Sequence, residues 1–386
     1  MYESLITLER DLDRHLAHPR VGLQDYRAIP AAAKRWSEAV WAAAEAEGPA
    51  VLSREEMRRG LDVARRPIFI CGAHRSGTTL VRDLLDNHPA LGVLPSEGTF
   101  LTSSRRYLGR HAPARRLGLL GREWLRRLAN PIHQAPYWVL GRSRDEHSPY
   151  VGFARRLMAW WPVAGAHLGA AARSSWPLAA VALAYAQCTG GLDDSSGVRY
   201  WAEKTPTNER FLARLLDEFP HARVVHVIRH PVAVLASREQ ERRNAGGGRL
   251  ALRRIARDLE RSYRIAAHGG RAHGRYALVR YEDLLERPWE SMERLAAFLD
   301  IEPLPSLLEP TVAGLPTASN SSFREDAIPG RIEPGAPCRS GMPGLPARER
   351  LAALLGDAAG RLGYELEPMG AWRRTVLRLA ALLGVS

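Results

Sequence analysis

Between Pro67 and Leu85 the chain reads PIFICGAHRSGTTLVRDLL. Gly72, four residues, Gly77 and then Thr78-Thr79 have the spacing of a loop that cradles phosphate. A loop that leaves a parallel strand and enters a helix aims free backbone N–H groups at one point, and the helix dipole adds positive potential there. Gly72 and Gly77 permit the turn and the close approach of anion oxygens. Thr78 and Thr79 add hydroxyl donors, and Arg75 can grip an oxyanion through two parallel hydrogen bonds. Two departures narrow the anion. Thr78 stands where a nucleotide triphosphatase carries the lysine that reaches its β- and γ-phosphates. The apolar run VVHVI ends in Arg229-His230, where such an enzyme places a magnesium-binding aspartate. The loop therefore suits a more modestly charged anion, and no metal is expected.

A second chemical signal is Lys204, in WAEKTPTN. Lysine occurs only at Lys34 and Lys204 among 55 Lys and Arg residues. A lysine kept in so arginine-rich a chain suggests a place where a compact ammonium is needed.

The elements that must position these residues follow from the pattern around them. PIFIC and ARVVHVIRH read as buried parallel strands, and RYALVRYEDLL as a third strand running into a helix. TTLVRDLLDNHP, PTNERFLARLLDEFP, PVAVLASREQERR, SMERLAAFLD and RERLAALLGDAAGRLG have helical spacing. Strands separated by helices predict an α/β fold with a central parallel sheet. Residues 1 to about 60 read as helical, and 100–199, rich in arginine, tryptophan and proline, as a mostly helical insertion.

The charged share is 25% and the hydrophobic share 45%, values of an ordinary globular chain. The net charge of +13 favours anionic partners. No nucleic-acid recognition signature accompanies the basic residues, so no nucleic acid is expected. Cys71, Cys188 and Cys338 are odd in number and far apart, which gives neither a disulfide framework nor metal spacing. With no signal-like apolar core at the start, a cytoplasmic location is expected, and the arginine bias points to a bacterial source. Leu157–Cys188 is apolar but broken by Pro162, His167, Arg173 and Pro177, and reads as buried helices. The tail AWRRTVLRLAALLGVS reads as a basic amphipathic helix, either docked or in peripheral contact with a membrane.

FICGAHRSGTTLV, WAEKTPTN and ARVVHVIRHPVAVLASR together resemble the 5′-phosphosulfate loop, the Lys-Thr-Pro element and the 3′-phosphate element of sulfotransferases, nearest the bacterial and tyrosylprotein branch. LVRYEDLLERP and RLGYE are similar to family features as well. The resemblance implies a P-loop-like three-layer fold and 3′-phosphoadenosine 5′-phosphosulfate (PAPS) as co-substrate, with PAP as product. It implies that Arg75, Ser76, Gly77, Thr78 and Thr79 bind the 5′-phosphate. Arg229 and Ser237, eight residues apart, bind the 3′-phosphate, Tyr281 lies near the nucleotide, and Ser321 or Ser322 closes over the 3′-phosphate. Lys204 would stabilise the transferring group and Glu97 would be the general base toward a hydroxyl acceptor. Glu97 departs from the family in its longer spacing after His88-Pro89, and a carboxylate beside Lys204 would have a lowered pKa. A histidine base, His111 or His133, is the alternative.

The expected organisation is a helical extension over 1–66, a sulfotransferase domain over 67–366 with an acceptor-side insertion at about 101–199, and a C-terminal helix over 367–386. The competing readings are a phosphotransferase with a degenerate loop and a non-catalytic nucleotide or nucleic-acid binder.

Overall fold

The computed structural model describes residues 2–16, 23–130, 137–169, 175–244, 247, 252–269, 274–318, 328–333 and 342–383. Three helices come first, α1 (Tyr2–Leu16), α2 (Leu23–Glu47) and α3 (Arg54–Ala64). Ser53 opens α3 with a reciprocal capping box to Glu56. Next are β1 (Pro67–Cys71), α4 (Thr78–Leu85) and β2 (Leu91–Val93). The insertion holds a π-helical turn (Phe100–Ser104) followed by α5 (Arg105–Leu108), α6 (Pro113–Ala129), α7 (Pro149–Leu168) and α8 (Trp176–Cys188). Alternation resumes with β3 (Tyr200–Lys204), a 3-10 turn (Asn208–Phe211), α9 (Leu212–Glu218), β4 (Arg223–Ile228), α10 (Pro231–Asn244), α11 (Leu252–Gly269) and β5 (Tyr276–Arg280). The chain closes with α12 (Tyr281–Glu286), α13 (Pro288–Leu299), the hairpin β6 (Thr311–Val312) and β7 (Leu315–Pro316), α14 (Leu345–Gly360) and α15 (Ala371–Leu383).

The five strands β2-β3-β1-β4-β5 form one sheet in that order, every pair parallel. The sheet therefore has one carboxyl edge, and the loops after its strands meet there. Register fixes how closely: Ile70 of β1 lies opposite Lys204 of β3 and Val225 of β4, and Ile228 lies opposite Arg280 of β5. β2 has only three residues, too few for a two-residue period to show in the sequence, and β3 ends in two charged residues; neither is among the three strands expected from the sequence.

Successive side chains of β1 serve opposite layers. Ile68 and Ile70 join α4, α12 and α13 through Leu80, Leu84, Leu284 and Leu295. Phe69 and Cys71 join the other layer, in which the N-terminal helices and the insertion share one core through Trp36, Trp41, Trp124 and Trp160. A third cluster packs α10 and α11 against α14 through Leu235, Leu259, Tyr263, Leu351 and Leu355. The apolar stretch of α7 and α8 is part of this packing, with Leu157, Trp160 and Leu178 to Ala186 buried. Among the described residues no helix is long and apolar enough to cross a membrane.

α15 docks, and it does so by its basic face. Arg373 pairs with Glu349, and Arg374 and Arg378 pair with Asp357, all on α14. Trp372, Val376 and Leu379 are left exposed on the outside.

Candidate active site

The phosphate loop, residues 72–77, leaves the carboxyl end of β1 and turns directly into α4. Its two glycines are required by contact as well as by conformation. Gly72 has φ +147°, and a Cβ there would lie 2.2 Å from the Val227 carbonyl oxygen of β4. Gly77 has φ +98°, and a Cβ there would lie 2.1 Å from Cδ2 of Tyr281. Arg75, between them, is itself left-handed at φ 71°. The 205–209 segment holds the loop from β3: Thr205 N–H donates to Ile70 O (3.1 Å), Thr207 N–H to Gly72 O (2.8 Å), and Gly72 N–H to Glu209 Oε2 (3.1 Å). The first N–H groups of α4 have no intrahelical acceptor. Beside them Ser76 is buried, and its hydroxyl finds no partner among the described residues. Thr78 is buried and Thr79 half-buried in the first helical turn.

A second cluster joins this loop from β4. The Arg229 guanidinium lies 4.4 Å from the centre of the Tyr281 ring and donates to Arg75 O at 3.2 Å. Arg75 Nε donates to Ser237 Oγ at 2.9 Å. Ser237 is on α10, two turns beyond Arg229. The segments RYEDL and RLGYE brace the strand end from behind. Glu282 accepts from His230 N–H (2.8 Å) and from the Tyr364 hydroxyl (2.9 Å), and the Tyr263 hydroxyl donates to the Arg229 carbonyl. Arg75, Arg229, Ser237 and Tyr281 thus form one basic, hydroxyl-bearing group next to the glycine loop.

The third cluster is at the end of β3. Lys204 Nζ is 2.6 Å from Glu97 Oε1; the lysine side chain is 5% exposed and the glutamate 38%. Burial pushes the Glu97 pKa up, but the charge and hydrogen bond of Lys204, with His74 and Arg82, more than offset it and hold Glu97 below its ordinary value. Burial lowers the Lys204 pKa, against the pull of Glu97. Glu97 is therefore an ionised carboxylate at neutral pH.

The backbone that carries Glu97 is held on several sides. Arg82 of α4 donates to Pro95 O at 2.9 Å. Arg127 of α6 donates to the Glu97 carbonyl and, at 2.7 Å, to Thr99 Oγ1. Glu203, fully buried, accepts from Gly98 N–H (3.3 Å), the Thr205 hydroxyl (2.7 Å) and Asn208 Nδ2 (2.5 Å).

The structure brings Arg75, Ser76, Gly77, Thr78, Thr79, Arg229, Ser237 and Tyr281 to one edge of the sheet, where β3 also places Lys204 and the loop after β2 places its partner Glu97. Ser321, Ser322 and His133 lie outside the described residues. His111 packs edge-on against Tyr107, ring centres 5.0 Å apart. Glu203, Arg127 and Thr99 were not singled out in the sequence. The only signal for Glu203 is its place beside Lys204 in WAEKTPTN. Among the described residues no group of three or more His, Cys, Asp or Glu side chains is placed to hold a metal ion.

A family model described as "Sulfotransferase family" matches residues 67–305, more than half of the chain. No curated protein matches. Among solved structures, the sulfotransferase domain from the curacin biosynthetic pathway is 19% identical, with a TM-score of 0.42 over 78% of this chain and 98% of that one. Sulfotransferase STF9 from Mycobacterium avium is 19% identical, with a TM-score of 0.40 over 81% of each chain. A sulfotransferase from Alicyclobacillus acidocaldarius is 16% identical, with a TM-score of 0.39 over 81% and 99%. At such identities and scores these likenesses add no weight to the family match.

Proposed function

The chain belongs to the sulfotransferase family, and from that premise we propose that it transfers a sulfuryl group from PAPS to a hydroxyl acceptor. The observation that carries this reading is the pairing of buried Lys204 with half-buried Glu97 at the strand end beside the glycine loop. It puts a cation for the transferring group and an ionised carboxylate for the acceptor proton 2.6 Å apart.

The residues present suit the nucleotide. The orphan Ser76 hydroxyl, the first-turn N–H groups of α4 and the two glycines that leave no space for a Cβ fit a 5′-phosphate. Arg229, Ser237 and Arg75 fit a 3′-phosphate, with Tyr281 stacked beneath Arg229. Bound PAPS supplies a sulfuryl group on an already activated phosphate. Lys204 stabilises negative charge on the transferring group and on the phosphate oxygen that leaves. Glu97 accepts the acceptor's hydroxyl proton. As Lys204 turns toward the donor it shares less of its charge with Glu97, whose proton affinity rises when a base is needed. Residues 67–366 are the proposed catalytic unit, with the helical insertion on the acceptor side.

Calorimetric titration with PAP, alongside ATP and magnesium, tests the donor. PAP should bind tightly, Arg229→Ala should abolish that binding, and ATP should bind weakly. Binding of ATP alone would return the loop to phosphoryl transfer. PAP release from PAPS with a panel of phenols and alcohols tests the reaction, and Glu97→Gln should lower turnover by about 100-fold or more.

A further inference from the structure

We infer that Glu203 is a positioning residue for Glu97: it captures the two peptide N–H groups that follow Glu97 and so aims that carboxylate at Lys204. The inference rests on the reading of Glu97 as the base.

Glu203 and Lys204 are neighbours at the end of β3, so their side chains leave the strand on opposite faces. The 97–99 loop crosses that end and meets both. The Glu97 side chain meets Lys204, and the next residue, Gly98, donates its N–H to Glu203 Oε2. The following N–H, of Thr99, donates to Thr205 Oγ1 at 2.8 Å, and the Thr205 hydroxyl passes its own proton to Glu203 Oε2. Both N–H groups thus end, directly or through one hydroxyl, on the same carboxylate oxygen.

The contact is close. A Cβ on Gly98 would lie 2.5 Å from Glu203 Oε2, so the acid rests against bare backbone. Thr99, at φ 45°, is a non-glycine residue in a left-handed turn, a conformation that persists only when its surroundings hold it. The second oxygen of Glu203 accepts from Asn208, whose neighbour Glu209 holds Gly72 N–H of the phosphate loop. Glu203 therefore links the loop that carries the base to the loop that cradles the anion.

Packing alone does not account for an acid here. An ionisable group buried at 0% exposure is costly, and an apolar side chain would fill the same space. What an apolar side chain cannot do is accept three hydrogen bonds. Burial raises the Glu203 pKa to about 7, the expected cost of keeping such an acceptor inside.

The test is a cycle of Glu203→Gln, Glu97→Gln and the double variant, with PAP release from PAPS measured on the acceptor panel and PAP affinity measured by calorimetry. Glutamine keeps the shape but offers one acceptor oxygen instead of two. Misplacing a reacting group by about 1 Å costs roughly 100-fold, so Glu203→Gln should lose about 10- to 100-fold in kcat. PAP affinity and KM for PAPS should stay within about threefold. Gly98→Ala, which pushes the loop off Glu203 from the other side, should show the same split and covers the case in which Glu203→Gln does not fold. Because Glu203 acts through Glu97, the double variant should be no slower than Glu97→Gln alone. A multiplicative loss in the double variant, or full kcat in both Glu203→Gln and Gly98→Ala, would overturn this inference and leave the sulfotransferase reading standing. Full kcat in Glu97→Gln, or no turnover by the wild type on any acceptor, would overturn both.

Discussion

Replacing Gly77 by alanine would load two supports of the nucleotide site at once. At φ +98° an L-residue costs about 1–2 kcal/mol. The new Cβ would also sit 2.1 Å from Cδ2 of Tyr281, so the ring must move. That ring faces the Arg229 guanidinium at 4.4 Å, a contact worth about 0.5–2 kcal/mol. The two effects sum to about 1.5–4 kcal/mol, or roughly a 10- to 1,000-fold loss of PAP affinity if the loop relaxes away from its present shape. Calorimetry on Gly77→Ala measures that loss directly. In a Tyr281→Ala background the clash is gone but the backbone strain remains, so adding Gly77→Ala should cost only about 1–2 kcal/mol more. PAP affinity within threefold of wild type in Gly77→Ala, with unchanged thermal stability, would refute the idea that Tyr281 and Gly77 hold the loop together.

Lys204→Ala should cut PAP release from PAPS by about 100- to 1,000-fold and weaken PAP binding by much less, about tenfold or below, because PAP keeps the leaving oxygen but lacks the transferring group; an equal fall in PAP affinity would place the lysine's whole effect on nucleotide binding instead. His226, fully buried between Tyr276 and Ser262, has its pKa lowered by burial to about 3, so the folded state stays neutral where the unfolded chain takes up a proton. Stability should therefore fall with pH from about 6.5 toward 3, by about 1.5 kcal/mol between pH 6.5 and 5, and urea melts of His226→Gln should lack that share of the slope. α15 is fastened by ion pairs on partly exposed side chains, each worth about 1 kcal/mol or less, which about 1 M salt screens. Limited proteolysis between Glu367 and Trp372 should accelerate with salt while the sheet stays resistant; a rate independent of salt would show that charge is not what fastens the helix.

Much of the site was legible because its pieces are local in sequence. The glycine loop, Lys204 and the Arg229–Ser237 spacing each fall within one strand-loop-helix unit, and a parallel sheet gathers such units at one edge. The partner of Lys204 was harder to see, since Glu97 is 107 residues away and came only through a family resemblance. Glu203 was hidden for a different reason. WAEKTPTN signals Lys204 but not a strand, and nothing in its letters says that the Gly98 backbone will cover the adjacent acid. The helical layer shows the same limit. Apolar spacing around Trp36, Trp41 and Trp124 announces a buried face, but only the folded chain shows that the N-terminal helices and the insertion bury against each other. For α15 the amphipathic pattern announced two faces without saying which would dock.

Arg75 belongs to both anion positions, because its carbonyl accepts from Arg229 and its side chain reaches Ser237 while its neighbours form the glycine loop. On the proposed reading, that makes the two positions one chelating grip. A ligand whose two anionic groups are held at the separation of a ribose presents the second to its partners at high effective concentration once the first is bound. A linear triphosphate carries more charge but cannot span the pair in the same way. Selection between nucleotides is then made by the distance between charges rather than by their number.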